Sequence, residues 1–221
     1  FLAAGMVGTD RRPWFEDLRL VVLQHDARAV GGFLRDACGI PVPPTRDTRD
    51  LYRHVTEELK RHPMARIESV LARARAQFPV SAPEERMLLN WEEVEEMSRH
   101  GISFGSHGLH HAIFTRLSKE ECEAEVGGAK AILESRTIRS VPIISFPNGD
   151  FDQQAVDACL RSGYRTMLSA STEAEGRAVG GTLIHRVGLS GRSTPDDVCL
   201  RILKARLRSR IPRRRDLTWI R

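Results

Sequence analysis

From Leu88 to Leu189 the sequence alternates short apolar runs with helix-forming stretches, and few folds accept that alternation. Asn90 followed by Glu93 is a capping-box-like start. Val94 and Met97 give that helix one apolar face, and Gly101 stops it. Ile102 to Gly105 then reads as a short strand. Ser118 with Glu121 opens a second helix, to about Ser135. Val141 to Phe146 (VPIISF) is a second strand, ending in Pro147-Asn148-Gly149-Asp150. Asp152 caps a third helix, stopped at Gly163. Tyr164 to Ser171 and Thr182 to Leu189 read as two further strands. Ser193, Thr194, Pro195 and Asp197 are the chemistry of a last helix start. Strands and helices joined by short connections predict an α/β fold: a parallel sheet under covering helices, either a barrel or doubly wound. In both, ligands gather at the carboxyl ends of the strands.

The chain before Leu88 follows a different pattern. Phe1 to Val7 (FLAAGMV) reads as the tail of a buried strand, running into a loop at Gly8-Thr9-Asp10. Arg11 to Pro83 is charged and helical, with breaks expected at Gly31-Gly32, at Pro41 to Pro44 and at Pro63. The expected organisation is one domain over residues 1–200, carrying a helical insertion at about 11–87, followed by a basic tail at 201–221. That tail holds nine basic residues and one acidic one, so the net charge of +5 is a local property. It reads either as a solvated end or as a contact for an anionic membrane surface or an acidic glycan; Ile202, Leu203, Leu207 and Ile211 would give it an apolar face. The first residue is Phe, which suggests a chain cut from a longer one. None of the four cysteines forms a C-x-x-C pair, which excludes a zinc knuckle and a redox motif of that kind.

The chemistry concentrates in Ser106-His107-Gly108-Leu109-His110-His111. His107 and His111 lie four residues apart at the end of an expected strand, where two imidazoles can face one ion. Neutral imidazole suits zinc and similar divalent metals. His110, between them, is expected to point away. The Pro-Asn-Gly-Asp turn falls at the equivalent end of the next strand, so the two segments make one plausible site. His25, His54, His62 and His100 sit in charged helical contexts and read as surface groups.

These segments resemble a known family. LNWEEVEEMSRHGISFGSHGLHHAIFTRLS (89–118) looks like the second motif region of the polysaccharide deacetylases, the nodulation-protein-B homology group or carbohydrate esterase family four. SFPNGDFDQQAVDACLRSGY (145–164) resembles the third motif and the helix after it, and FLAAGMVGTDRRPWFEDL resembles the strand and loop after the first. The resemblance extends over most of residues 1–190. It implies a distorted (β/α) barrel and a metal-dependent hydrolase, usually with zinc, that removes N- or O-acetyl groups from a polysaccharide or glycan. It implies metal ligation by His107 and His111. It places Phe146, Pro147, Asn148, Gly149 and Asp150 in the substrate groove, with Trp14 as a groove or packing residue. Leu183-Ile184-His185 echoes the family's late motif, which offers His185 as general acid; the other reading is an ordinary strand-end histidine next to Arg186. The family's paired aspartates, one a metal ligand and one the general base, have no counterpart here; Asp10 and Asp17 follow the matching strand. The resemblance places that motif before Phe1, so a fragment with weak metal binding and little turnover is the expectation. It also favours an extracytoplasmic or membrane-associated location. The alternatives are a non-catalytic carbohydrate-binding relative, and an adaptor for membrane or nucleic acid acting through the tail; nucleic acid is not the favoured partner.

Overall fold

A computed structural model describes residues 1–81, 86–170, 176–178, 181–188, 191 and 193–210. The chain divides into two compact units, one of Phe1–Gly5 with Glu92–Arg221 and one of Met6–Trp91.

The Met6–Trp91 unit holds four helices: α1 (Trp14–Gln24), α2 (Ala27–Asp36), α3 (Thr48–Leu59) and α4 (Met64–Gln77). Asp26 caps α2 by accepting from the Ala29 amide, and Asp47 caps α3 by accepting from that of Asp50. Each helix turns an apolar stripe inward. Leu18, Val21, Val30, Leu34, Leu51, Val55, Leu59 and Val70 are fully buried in one core. Each such side chain contributes roughly 1.5–3 kcal/mol relative to exposure. The expected break at Gly31-Gly32 does not occur, because α2 runs through it. Gly31 is buried against α3, where an added Cβ would lie 3.3 Å from Leu51 Cδ1. The break falls earlier, at His25, which leaves α1 with extended backbone.

The other unit is α/β, as expected. Its helices are α5 (Trp91–Arg99, from its second residue), α6 (Lys119–Glu134), α7 (Gln153–Arg161) and α8 (Pro195–Arg210). Its strands are β1 (Phe104–Ser106), β2 (Ser140–Ser145), β3 (Thr166–Ser169), β4 (Gly176–Ala178) and β5 (Gly181–His185), in the order β1-β2-β3-β5-β4. β1, β2, β3 and β5 are parallel; β4, unforeseen in the sequence, pairs antiparallel with β5. Leu2 bridges Ser106 on the outer side of β1 in the parallel sense. Helix starts follow the cap chemistry read from the sequence. Ser118 and Glu121 form a reciprocal capping box, Asp152 accepts from the Ala155 amide, and Thr194 and Asp197 cap one another's amides. Phe114, Ile144, Phe146, Val156, Cys159, Tyr164 and Met167 fill the core under the sheet. The expected strand ends at Ser171 and Leu189 lie outside the described residues, as do Ile211 and the rest of the tail beyond Arg210. On α8, Leu200, Ile202 and Leu203 are exposed; the side chain of Leu207 is outside the described residues.

Candidate metal centre

The strand β1 delivers His107 to the carboxyl edge of the sheet, and the chain must then turn sharply. The His107 amide donates to the Leu2 carbonyl, which holds the residue in line with the strand. Gly108 takes a φ of 78°, and a Cβ there would meet Phe114 at 3.1 Å and the Glu125 carboxylate at 3.2 Å. Only glycine fits both constraints. His111 also lies in the left-handed region, with φ 60°. Histidine is among the residues that visit that region more readily than most. The two reversals bring His111 back towards His107.

The loop is clamped from α6. Glu125 is buried; its Oε2 accepts the amides of Leu109 (2.8 Å) and His110 (2.9 Å), and its Oε1 takes the proton of His110 Nδ1 at 2.7 Å. His110 thus points at α6, as expected of a neighbour outside the metal position. Glu125 itself escaped the sequence reading. The visible signal was a carboxylate on the inner face of an amphipathic helix, one turn from buried Cys122 and next to buried Val126.

The His107 and His111 rings meet edge to face, with centroids 4.8 Å apart and planes at 85°. His107 Nδ1 lies 2.6 Å from the Ser145 carbonyl of β2. A carbonyl only accepts, so Nδ1 carries the proton and Nε2 keeps its lone pair. Burial, chiefly, and then the neighbouring His111 push the His107 pKa down to about 4, against the Ser145 hydrogen bond. Burial lowers that of His111 as well, partly offset by a bond to its own backbone and by Glu125. Both rings are therefore neutral near pH 7, the form that ligates. Two imidazoles sharing one ion, with each nitrogen at about 2.1 Å, bring their centroids to roughly 5 Å, close to what is seen. The pair fits two positions around a divalent metal. Among the described residues no group of three His, Cys, Asp or Glu assembles.

The other expected site residues divide. Phe146 is fully buried, stacked on Phe151 at 5.3 Å and edge-on to Phe114 at 6.0 Å. Its ring belongs to the core and does not face a groove, which corrects the expectation. Pro147 and Gly149 are also buried, in a single 3-10 turn. Asn148 is exposed at φ 59° and donates to Asp150 Oδ2 at 2.6 Å, so these two side chains present polar atoms outward. Trp14 is not in a loop. It is the first residue of α1 and is buried beside Phe15, so its ring serves packing in the helical unit. His185 ends β5, paired in register with Ser169, at the same sheet edge as His107. Its Nδ1 is buried and has no hydrogen-bond partner among the described residues.

Comparison with known proteins identifies the family. Residues 50–167, just over half of the chain, match the polysaccharide deacetylase family. The chain belongs to that family. The matched segment contains both histidines, their Glu125 clamp and the Phe-Pro-Asn-Gly turn, and the family's α/β barrel type accounts for the parallel sheet. It starts later than the resemblance read from the sequence, inside the helical unit at α3. YxkH of Bacillus subtilis, assigned by name to the polysaccharide deacetylases, is 28% identical over 102 residues, 46% of this chain and 37% of its own length. The Streptococcus pyogenes deacetylase PplD, solved in complex with acetate, aligns over 63% of this chain and 66% of its own, with 17% identity and a TM-score of 0.45. This deacetylase-family chain thus matches a little over a third of the curated relative's length and just under two thirds of the solved structure's. No helix among its described residues is long and apolar enough to cross a membrane.

Proposed function

We propose that the chain carries the metal-binding edge of a hydrolase that removes acetyl groups from an N- or O-acetylated polysaccharide or glycan, working outside the cytoplasm. The observation that supports this reading best is the pair of neutral imidazoles, 4.8 Å apart, with the Ser145 carbonyl fixing one tautomer. His107 and His111 would hold the ion, and two nitrogen donors of this softness suit zinc. A divalent metal supplies Lewis acidity and lowers the pKa of bound water from about 15.7 toward about 7.

The chain's own groups support the remaining roles. Ser145 keeps the proton on His107 Nδ1, leaving Nε2 for the ion. Glu125 holds the loop so that the second histidine stays within reach of the first. Asn148 and Asp150 offer hydrogen bonds to sugar hydroxyls at the neighbouring strand end. His185, at the same edge, is the proton donor to the departing amine or alcohol.

The test is calorimetric titration of the chain with zinc, paired with acetate release from partly acetylated chitooligosaccharides and an O-acetylated glycan. One zinc per chain, lost in His107→Ala and in His111→Ala, supports the site; equal binding by the variants overturns it. Zinc-dependent acetate release supports the reaction. Release that persists undiminished in both histidine variants refutes it.

A further inference from the structure

The helical unit carries a second feature, unrelated to the histidines. A cavity of about 370 Å3 opens between α2 and the 43–46 segment, lined by Ala27, Gly31, Gly32, Pro43, Pro44, Thr45 and the three arginines Arg28, Arg35 and Arg46. No acidic residue lines it. Gly32 leaves its floor open: a Cβ there would find only Arg35 Nη2 within 4 Å, at 3.9 Å. That guanidinium is held in place, with Nη1 donating to the Val42 carbonyl at 3.1 Å and Nε beside Asp36 at 3.3 Å. Arg28 and Arg46 are exposed, and neither forms an ion pair among the described residues. A second cavity of about 620 Å3 shares Arg46 and adds Arg19, Arg49 and Tyr52. Asp47 lines this one and Glu16 pairs with Arg19; in the first cavity Asp36 offsets part of the Arg35 charge but lies outside the lining.

We propose that the acid-free cavity is a binding site for a phosphate group. Guanidinium forks bind oxyanions bidentately. A phosphate offers up to four oxygens and carries a larger charge than a carboxylate, so it complements a lining with three arginines and no acid better. The volume lies at the small end of ligand pockets, which run from about 300 to 1,000 Å3. It accommodates one phosphorylated sugar or a single unit of a phosphate polymer. The shared Arg46 gives a polymer a continuation into the second cavity.

The experiment uses the whole chain and titrates it calorimetrically with inorganic phosphate, short-chain polyphosphate and polyglutamate at fixed ionic strength. Saturable binding of either phosphate probe in preference to polyglutamate supports the site. Binding of inorganic phosphate indicates a small phosphorylated ligand, and binding of polyphosphate alone indicates a polymer. Two variants localise it. Arg28→Ala with Arg46→Ala removes two forks, and Gly32→Leu fills the cavity without changing charge. Each is expected to weaken phosphate binding at least tenfold, while Arg61→Ala, in the turn after α3, changes it by less than twofold. No saturable phosphate binding overturns the proposal. So does equal affinity for polyglutamate, undiminished binding by Gly32→Leu, or a loss with Arg61→Ala as large as that of the double arginine variant. Circular dichroism of each variant establishes that the helices persist.

Discussion

His110 Nδ1 lies 2.7 Å from Glu125 Oε1, and the other oxygen of the same buried carboxylate takes the amides of Leu109 and His110. One side chain on α6 therefore anchors three donors of the loop that carries His107 and His111. Removing one partner of a buried hydrogen-bonded group strands the others, at about 1–3 kcal/mol each. Groups that orient ligands typically alter metal affinity 10–100-fold when lost. Glu125→Ala is expected to weaken zinc binding at least tenfold and to lower the urea midpoint. Glu125→Gln should do so less, since its amide oxygen still accepts. Unchanged zinc affinity in both variants would show that the loop holds itself.

His107 and His110 separate the two roles within the motif. His107→Ala should abolish zinc binding, measured by calorimetric titration at fixed pH. His110→Ala should keep one zinc per chain, with affinity reduced by less than His107→Ala, because its ring points at α6. Equal loss in the two variants would mean that all three rings of the motif contribute to the ion.

The metal-free chain should lose stability in acid. His107 is held near 4 in the folded protein against 6.5 ordinarily. Between those values the unfolded chain binds the extra proton, so stability rises with pH across the window and is fully present above about 6.5. Linkage bounds the His107 contribution at ~3 kcal/mol. Urea unfolding in chelator from pH 4 to 7 should show the rise, and His107→Gln should flatten it. The same slope in wild type and variant would rule His107 out as its source.

The four thiols should differ in reactivity. Cys38, Cys122 and Cys159 are buried and Cys199 is exposed. Burial pushes the Cys122 pKa up to about 11, and that of Cys159 higher still. A thiol reacts as thiolate, so Ellman's reagent at pH 8 should modify Cys199 rapidly and the others only after unfolding. Rapid modification of Cys122 or Cys159 in the native chain would contradict the packing around α6 and α7, and of Cys38 that of the helical unit.

Gly149 sits at φ 82°, and a Cβ there would come within 2.4 Å of Ala170 Cβ and 2.6 Å of its amide nitrogen. Left-handed strain and overpacking then act together. Gly149→Ala is expected to destabilise by on the order of 3 kcal/mol, measured by urea unfolding. A change below about 0.5 kcal/mol, the scale of ordinary surface substitutions, would mean that the turn relaxes freely.

The alternation of capped helices and apolar runs was enough to determine the α/β class and the helix starts at Lys119, Gln153 and Pro195, and the four-residue spacing put His107 and His111 at one strand end. Those signals are local: a cap is a three-residue pattern, and a strand shows itself by its own apolar run. What faces what is set by the tertiary structure alone. Phe146 read as a groove residue and Trp14 as a groove or packing residue, yet both rings are buried, because side-chain direction depends on which surface the neighbouring element covers. Gly31-Gly32 read as a break, yet α2 continues where contact with Leu51 replaces the missing side chains. The Glu125 clamp and the Ser145 carbonyl lie 15 and 38 positions from the rings they orient. No local pattern reports a hydrogen bond across that separation, since it exists only once the sheet brings β1, β2 and α6 together.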